Sequence, residues 1–295
     1  RNGLPGIDIP LPLILGSDAS GTIVEVGNEV KGYKKGDNVV IQPGTFSPMC
    51  KKALEGYENY SKTYGILGET ENGVQSEYVV LKPSNVYQMP EHLTFIESAS
   101  MPLVFMTSYQ MLIKRAKLKK NDNVLIYGGT SGVGSAAIQI AKDIGCQIIS
   151  TVGDDSKKQY VYDLGADYVF NHTQDNLVEE IRNIFSEGIN VVFEHVGPLT
   201  WNQSMKVLAI GGIIVTCGAT TGGKVSIDLR HLFMKQQTIM GSTMASLSTF
   251  KEVMRKIKEK KYKPFIDKVY RFEEIKSAHL RIENRKNSGK VVLIP

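Results

Sequence analysis

The sequence has few of the features that mark membrane, secreted or cross-linked proteins. No run approaches the ~18 consecutive apolar residues of a membrane span. Its three cysteines, Cys50, Cys146 and Cys217, are odd in number and widely spaced. That pattern argues against a disulfide framework and favours a reducing, cytoplasmic setting. Internal repeats and low-complexity tracts are also missing. We therefore expect a globular protein that does not associate with membranes.

Neither sign of charge dominates the sequence. It has 35 basic and 30 acidic residues, a net charge of +5. This mild excess suits an anionic ligand but does not require nucleic acid, which we do not expect as a partner. The densest basic run, residues 251–263, has the pattern of a solvated helix face with a basic C-terminal end. With 295 residues, the chain is long enough for two domains.

Two patterns divide the chain. The N-terminal third has short apolar or alternating runs punctuated by glycine, which predict strands over 21–26, 38–41 and 78–81. A helix is predicted over 95–99, with Thr94 as its N-cap ahead of Glu97. From Asn123 onward, apolar strands alternate with amphipathic helices. This alternation is typical of a parallel sheet covered on both faces and predicts a doubly wound α/β fold. The predicted strands are 124–127, 147–152, 167–170, 190–194, 212–217 and 238–241.

The sharpest chemical signal is the segment Gly128-Gly129-Thr130-Ser131-Gly132-Val133-Gly134, between a predicted strand and helix. A dinucleotide pyrophosphate needs closely approaching backbone amides at a helix N-terminus. Two glycines fill the first and last positions of the G-x-G-x-x-G pattern, and a serine stands at the second. The alternative is an ordinary strand–helix turn. The predicted pyrophosphate contacts are Gly129, Ser131, Gly132, Val133 and Gly134.

The end of the second strand of this series bears on the choice of nicotinamide cofactor. Val152 fills the position where an acidic residue would bind the ribose 2′-hydroxyl of NAD. Nearby cations could instead reach the 2′-phosphate of NADP. Asp154 and Asp155 would repel a phosphate, bind ribose hydroxyls or cap the following helix. The pattern favours NADP(H) over NAD(H). The predicted contacts are Thr151, Gly153, Lys157 and His172.

Short motifs along the whole chain resemble the medium-chain dehydrogenase/reductase superfamily, and within it the quinone-oxidoreductase and zinc-type alcohol-dehydrogenase-like proteins. The resemblance implies an N-terminally incomplete GroES-like β-barrel catalytic domain over 1–104, a Rossmann NAD(P)-binding domain over 105–244, and a return to the catalytic domain over 245–295. Further strands are expected ahead of Arg1–Gly6. Cofactor and substrate are expected in the cleft between domains, and the chain is expected to form a homodimer or homotetramer. The motifs are Leu15-Gly16-Ser17-Asp18-Ala19-Ser20-Gly21, Val24-Glu25-Val26-Gly27, Lys35-Gly36-Asp37, Leu164-Gly165-Ala166-Asp167, Glu194-His195-Val196-Gly197, Cys217-Gly218-Ala219 and Gly289-Lys290-Val291-Val292.

The same resemblance extends the cofactor site. Thr107 is expected near the nicotinamide amide, and Lys290 at the pyrophosphate. Residues at the carboxyl ends of successive strands are expected to line the site, because a doubly wound sheet binds its ligand there. Taken singly, each could equally be a capping or packing residue. The strand-end positions are Val196, Gly218, Ala219, Ser242 and Thr243.

The zinc ligands of the related alcohol dehydrogenases are missing. Ser17 stands where those enzymes have a histidine ligand, and Leu103 where they have a cysteine. Asp18 is a candidate proton donor, with a structural ion pair as the alternative. We therefore expect neither a catalytic nor a structural zinc. The four cysteine positions of the family's structural zinc site read Ser47, Cys50, Ala53 and Ser61.

These observations favour a zinc-independent NAD(P)H-dependent oxidoreductase. Without a Lewis acid, hydride addition to an activated double bond of a quinone or α,β-unsaturated carbonyl is easier than reduction of a simple ketone. An alcohol or aldehyde dehydrogenase of the zinc type is the alternative enzyme. A different class of alternative is a non-catalytic NADPH- or RNA-binding protein. A third is a subunit that needs a partner for activity.

Overall fold

The computed structural model describes Ile9 and residues 11–295, and these form two compact units. Unit 1 comprises the chain up to Met106 together with Met244–Pro295, and unit 2 comprises Thr107–Thr243. The domain bounds expected from the resemblance, 1–104, 105–244 and 245–295, stay a prediction. The strands expected ahead of Arg1–Gly6 fall outside the described residues.

The secondary structure follows the two patterns of the sequence. In chain order the strands are β1 Ser20–Thr22, β2 Asn38–Ile41, β3 Gly44–Thr45, β4 Gly65–Ile66, β5 Val86–Gln88, β6 Asn123–Ile126, β7 Gln147–Val152, β8 Tyr168–Asn171, β9 Ile189–Glu194, β10 Leu208–Thr216, β11 Thr238–Gly241, β12 Ile266–Arg271 and β13 Lys290–Ile294. The α-helices are α1 Lys51–Leu54, α2 Phe95–Ala99, α3 Pro102–Tyr109, α4 Gly132–Ile144, α5 Lys158–Leu164, α6 Leu177–Ile184, α7 Pro198–Val207, α8 Leu229–Met234, α9 Leu247–Lys258 and α10 Ile275–Glu283. A π-helical segment, Gln110–Arg115, follows α3.

Unit 2 is built on a six-stranded parallel sheet in the order β11-β10-β9-β6-β7-β8. The order reverses between β6 and β9, which is the point where a doubly wound sheet opens a crevice at the carboxyl ends of its strands. The sheet is buried because its strands are almost wholly apolar; Leu125, Ile149 and Val192 lie at its centre. The fold predicted from the strand–helix alternation is confirmed.

Helix α4 shows why the sequence folds as predicted at this point. Ser131 is its N-cap and accepts a hydrogen bond from Gly134 N at 3.0 Å. Gly145 ends the helix in the left-handed conformation, with φ of 88°. Between them, the apolar residues of α4 are buried against the sheet, so the helix fixes the end of β6 relative to its neighbours.

Unit 1 contains the antiparallel sheet β1-β2-β5, whose buried residues Val39 and Ile41 form a core with Leu67. The predicted strand 38–41 is confirmed, and so is α2 with its Thr94–Glu97 capping box. The first predicted strand, 21–26, is too long and overlaps β1 only at Gly21 and Thr22. The strand predicted at 78–81 is wrong, since these residues form no strand. No described strand pairs with the latter segment, and Val80 is fully exposed.

The C-terminal part of unit 1 contains the basic helix α9. Phe250, Val253 and Ile257 form its buried stripe, whereas Lys251 and Arg255 lie on the exposed side. The basic run is therefore a solvated helix face, as its pattern predicts. Strand β12 pairs in parallel with β13 through the connecting helix α10. In the described part of the chain, no helix is long and apolar enough to cross a bilayer.

Candidate functional site

The glycine-rich turn leaves a set of backbone donors open at the N-terminus of α4. Gly129 N, Ser131 N and Gly134 N are used within the turn or by its neighbours. Among the described residues, the amides of Thr130, Gly132 and Val133 have no acceptor. We call these three open amides, at the start of a 13-residue helix, the cradle; amides so placed can bind an anion. The predicted pyrophosphate residues thus lie together, although Ser131 also serves as the helix cap.

Close packing explains the two glycines that flank the cradle. A Cβ at Gly129 would overlap the Ser150 hydroxyl, and one at Gly134 would overlap the Gly128 carbonyl oxygen. Thr151 lies beneath the turn: its hydroxyl accepts from Gly128 N at 3.1 Å and its carbonyl from Gly129 N at 2.9 Å. The structure therefore gives Thr151 the role of holding the turn from the neighbouring strand.

Beyond the end of β7, the two acidic residues already have partners. Asp154 caps a short 3₁₀ turn by accepting from Ser156 N at 2.8 Å, and this interaction with Ser156 holds its pKa below the ordinary value. Asp155 pairs with Lys158 at 2.9 Å and accepts from Asn171 Nδ2 at 3.2 Å. The hydrogen bond from Lys158 is the main reason that the pKa of Asp155 is lowered. Capping, one of the three roles considered from sequence, is the role seen for Asp154.

Two predicted contacts come together at this strand end. A Cβ at Gly153 would lie 3.3 Å from Cε1 of the His172 ring, so that ring covers Gly153. His172 is held there by its backbone N, which donates to Val152 O at 3.0 Å. Lys157 lies in the 3₁₀ turn that follows, half-buried. The end of β7 thus has the His172 imidazole against an exposed glycine, with Lys157 four residues further along the chain.

The loops that follow β9 and β10 are tied to each other. Thr220 donates to His195 O from both N, at 3.3 Å, and Oγ1, at 2.9 Å. Thr221 does the same to Val196 O, at 2.8 Å from each atom. Gly218 lies against His195, with the position of a Cβ 3.1 Å from His195 O. The predicted contacts Val196, Gly218 and Ala219 therefore lie on two loops that are hydrogen-bonded to each other.

A buried carboxylate that the sequence analysis missed holds these loops. Glu194 is fully buried at the end of β9. Its Oε1 accepts from Val196 N at 2.6 Å and Gly197 N at 3.1 Å. Its Oε2 accepts from the hydroxyls of Thr200 at 2.8 Å and Ser204 at 3.1 Å. A carboxylate that ends an apolar strand, followed by hydroxyls four residues apart on one helix face, is the signal that could have revealed it.

Tyr127 connects this network to the glycine-rich turn. Its hydroxyl lies 3.3 Å from that of Ser204, and its carbonyl accepts from His195 Nε2 at 2.9 Å. Burial raises the pKa of Tyr127 far above its ordinary value and lowers that of His195. Both side chains are therefore neutral near pH 7, and the His195 proton lies on Nε2 because a carbonyl can only accept.

The remaining strand-end residues also lie in unit 2. Ser242 N donates to Thr216 O at 2.8 Å, which extends the β10–β11 ladder by one step, and Thr243 follows it. The Ser242 hydroxyl is buried and has no hydrogen-bond partner among the described residues. An orphaned hydroxyl in this position fits a bound polar ligand. Thr107 is nearly fully buried at the start of the unit.

In unit 1, Asp18 forms an ion pair. Its Oδ2 lies 3.0 Å from Lys290 Nζ, and its Oδ1 accepts from Leu103 N at 2.9 Å. Of the two roles considered for Asp18, the structure shows the ion pair. Lys290, predicted at the pyrophosphate, is the cation of that pair. A cavity of about 1150 Å³ within unit 1 has Asp18, Lys290 and largely apolar residues in its walls.

The positions that resemble zinc ligands lie together but carry other chemistry. The Asp18–Leu103 hydrogen bond brings Ser17, next in sequence to Asp18, near Leu103, and neither is a metal-ligand type. In the loop of the second zinc site, Cys50 Sγ lies 3.1 Å from Ser61 Oγ and 3.3 Å from Ala53 N. In the described ranges, no three His, Cys, Asp or Glu side chains are grouped as a metal site.

Both units match known protein families. The model of the alcohol dehydrogenase GroES-like domain matches residues 3–91, and that of the zinc-binding dehydrogenase matches residues 132–259. The chain belongs to the medium-chain dehydrogenase/reductase superfamily and is an oxidoreductase of that type. The family resemblance and the two-domain fold class expected from the sequence are confirmed.

Relatives of known activity divide between two substrate classes. A crotonyl-CoA carboxylase/reductase of Cereibacter sphaeroides is 31% identical over 95% of this chain and 72% of its own length. A quinone oxidoreductase of Pongo abelii is 29% identical over 96% of this chain and 80% of its own.

Solved structures show the same fold. An NAD-dependent alcohol dehydrogenase superimposes with a TM-score of 0.94 at 38% identity, over 97% of this chain and 84% of its own. A 2-octenoyl-CoA carboxylase reductase in complex with NADP and 2-octenoyl-CoA gives a TM-score of 0.88 at 32% identity, over 95% of this chain and 68% of its own. The first of these two proteins is named for NAD, and the second was solved with NADP.

Proposed function

We propose that the chain binds NADP(H) and catalyses zinc-independent hydride transfer to a quinone or an α,β-unsaturated carbonyl compound. The observation that carries the proposal is the trio of open amides at the N-terminus of α4, at the carboxyl edge of a doubly wound sheet. Relatives named for quinone and enoyl-CoA reduction support the substrate class.

The residues of unit 2 fit a dinucleotide. The cradle would hold the pyrophosphate, and the hydrogen-bonded loops after β9 and β10 would face the nicotinamide. The orphaned Ser242 hydroxyl at the end of β11 supports this fit. When bound, NADPH would supply the hydride, and the protein would supply orientation and electrostatics. The chain's part is to bind the phosphates through backbone amides and to hold the nicotinamide-side loops in a fixed arrangement.

The preference for NADP(H) rests on the end of β7. Asp155 is neutralised by Lys158 and Asp154 is engaged in capping, so neither carboxylate is arranged like the ribose-binding acid of NAD enzymes. The His172 ring covers Gly153, and Lys157 lies in the 3₁₀ turn that follows; we propose that a 2′-phosphate would bind at this strand end. The 38% identical NAD-dependent alcohol dehydrogenase supports the opposite choice, so cofactor preference needs a direct test.

The proposal of zinc-independent chemistry rests on the side chains that occupy the zinc-ligand positions of unit 1. Ser17 and Leu103 cannot replace histidine and thiolate as zinc ligands. Charge that develops on the substrate oxygen would then be stabilised by hydrogen bonds, which suits the delocalised charge of an enone, an enoyl thioester or a quinone. The largely apolar walls of the unit 1 cavity are compatible with such substrates.

Calorimetric titration with NADPH and NADH tests the cofactor half of the proposal. We expect NADPH to bind at least about tenfold more tightly, because the 2′-phosphate adds charge-assisted hydrogen bonds. Lys157→Ala should weaken NADPH binding and leave NADH binding unchanged. Lys142→Ala, a substitution on the basic end of α4 away from its N-terminus, is the matched control. Tighter binding of NADH would contradict the proposed preference.

We also propose that the protein is cytoplasmic and forms a homodimer or homotetramer through the edge of the unit 2 sheet. Strand β11 is an edge strand, and the adjoining helix α8 exposes Leu229, Phe233 and Met234. Exposed large apolar side chains beside a free edge favour association. Light scattering of wild-type protein and Phe233→Ser tests this assembly, with the variant expected to be monomeric. A wild-type monomer would contradict it.

A further inference from the structure

We propose that Glu194 is a positioning residue for the nicotinamide half of the cofactor, an inference that rests on the proposed function. Its side chain is fully buried, yet no described Lys, Arg or His forms an ion pair with it. A buried carboxylate without a cation is costly unless hydrogen bonds satisfy both of its oxygens. The network around it therefore shows what the carboxylate holds in place.

The partners of Glu194 lie on the loop after β9 and on helix α7. Oε1 accepts from the amides of Val196 and Gly197, so these two donors are turned inward. Oε2 accepts from two hydroxyls on α7. The N-terminus of this ten-residue helix, with Gly197 as its N-cap, places a favourable dipole near the carboxylate. One side chain thus fixes the loop both to itself and to the helix that follows.

The constraint passes from this loop to the loop after β10. Val196 O accepts from Thr221, and His195 O accepts from Thr220. A Cβ at Gly197 would lie 2.8 Å from Gly222 O, so the two backbones are in close contact. Loss of the Glu194 carboxylate would free the amides of residues 196 and 197 and loosen both loops.

The adenosine half of the cofactor site is not part of this network. Gly153, Lys157 and His172 follow β7 and β8, on the other side of β6 from β9 and β10. The described hydrogen bonds of the Glu194 carboxylate go to Val196, Gly197, Thr200 and Ser204 alone. Loosening of the loops after β9 and β10 should therefore weaken the binding of ligands that carry nicotinamide. It should leave unchanged the binding of ligands that consist of the adenosine half alone.

The test compares NADPH with 2′,5′-ADP, a probe of the adenosine half, on the full chain. Glu194→Ala should weaken NADPH binding about tenfold or more, since ordering the loops must then be driven by the ligand. Binding of 2′,5′-ADP should stay within about twofold of wild type. Glu194→Gln keeps one carbonyl oxygen for the two loop amides and should restore most of the NADPH affinity. The sole tryptophan, Trp201 on α7, gives a second readout: energy transfer from it to bound NADPH should change in Glu194→Ala.

Asp167→Ala is the matched control. Asp167 accepts from Ile148 N at 2.7 Å, a hydrogen bond at the opposite, amino-terminal edge of the same sheet. This variant should be less stable, but its affinities for NADPH and 2′,5′-ADP should not change by different factors. If Glu194→Ala cannot be obtained folded, Thr200→Val removes one donor and should weaken NADPH binding by a smaller factor, again sparing 2′,5′-ADP.

Three results would overturn the inference. The Glu194 or Thr200 variants could bind both probes equally less tightly, or could bind both as tightly as wild type. Asp167→Ala could also bind NADPH less tightly while binding of 2′,5′-ADP is unchanged. Failure of the wild-type protein to bind NADPH or NADH would instead reject the proposed function. The two failures are therefore distinguishable.

Discussion

Asp18 and Lys290 are 272 residues apart in sequence and form an ion pair of 3.0 Å in unit 1. Only 7% of the Asp18 side chain is exposed, compared with 25% for Lys290. The pair joins the segment after Gly16 to the start of β13, and Asp18 also binds Leu103 N. Asp18 is therefore tied to two other parts of unit 1.

Asp18→Asn should destabilise the protein by about 2 kcal/mol, because Lys290 would remain partly buried without its counter-charge. Urea denaturation measures the change. Lys290→Met should cost at least as much as Asp18→Asn, because it leaves the more buried carboxylate without its counter-charge, and the two effects should not add in the double variant. Additive effects would mean that the interaction between Asp18 and Lys290 does not contribute to the free energy of unfolding. An unchanged unfolding free energy with a large fall in turnover would instead indicate that Asp18 acts as the proton donor.

Gly134→Ala should lower both stability and cofactor affinity. The added methyl group overlaps Gly128 O, so the turn or the start of α4 must shift, at a cost of about 1–3 kcal/mol. That shift would misplace the open amides of the cradle. Gly223→Ala is the control, since a Cβ there meets nothing within 4 Å and its φ is not in the left-handed region. Thermal denaturation and NADPH titration of both variants provide the measurement, and equal behaviour would contradict the packing argument.

Cys50 should be the first of the three cysteines to react with iodoacetamide at pH 8. The hydrogen bond with Ser61 and that from Ala53 N lower the pKa of Cys50, whereas burial raises the pKa of Cys146 and Cys217 to about 12 each. The thiolate is the reactive form. Mass spectrometry of alkylated peptides gives the order, and Ser61→Ala should slow the reaction at Cys50. Faster labelling of Cys217 would be inconsistent with its burial.

His195 should make stability depend on pH in mildly acidic solution. Because burial holds its pKa below 6.5, the unfolded chain binds the proton more readily than the folded protein in the window just below that pH. The contribution of His195 is therefore complete above pH 6.5 and is lost as the pH falls. In His195→Gln, whose amide can still donate to Tyr127 O, unfolding free energy should fall less between about pH 7 and pH 5. Identical slopes for the two proteins would rule out this role.

The fold of unit 2 could be predicted from the sequence because its strands are apolar runs and helix α4 has a clear cap at each end, at Ser131 and Gly145. In unit 1, Thr94 caps α2 through local hydrogen bonds in the same way. Strands at 266–271 and helices at 102–109 and 275–283 were missed. Helix α3 is apolar on all sides, so it has no periodicity to detect.

The site was predictable only where its chemistry is local. The glycine-rich turn could be predicted as a phosphate-binding site because its amides and the N-terminus of the helix are adjacent in the sequence. Residues 78–81 form a short apolar run typical of a strand but have no described partner strand, and pairing is not a local property. Glu194 escaped prediction because its importance lies in four donors on a loop and a helix that only the folded chain brings together.

Turnover of NADPH with an α,β-unsaturated carbonyl substrate, on protein of measured zinc content, tests the central claim most directly. The enzyme with far less than one zinc per chain should reduce a panel of enones, enoyl-CoA thioesters and quinones, and a chelator should not change the rate. Oxidation of simple alcohols should be negligible. Activity proportional to bound zinc and abolished by the chelator would contradict the account.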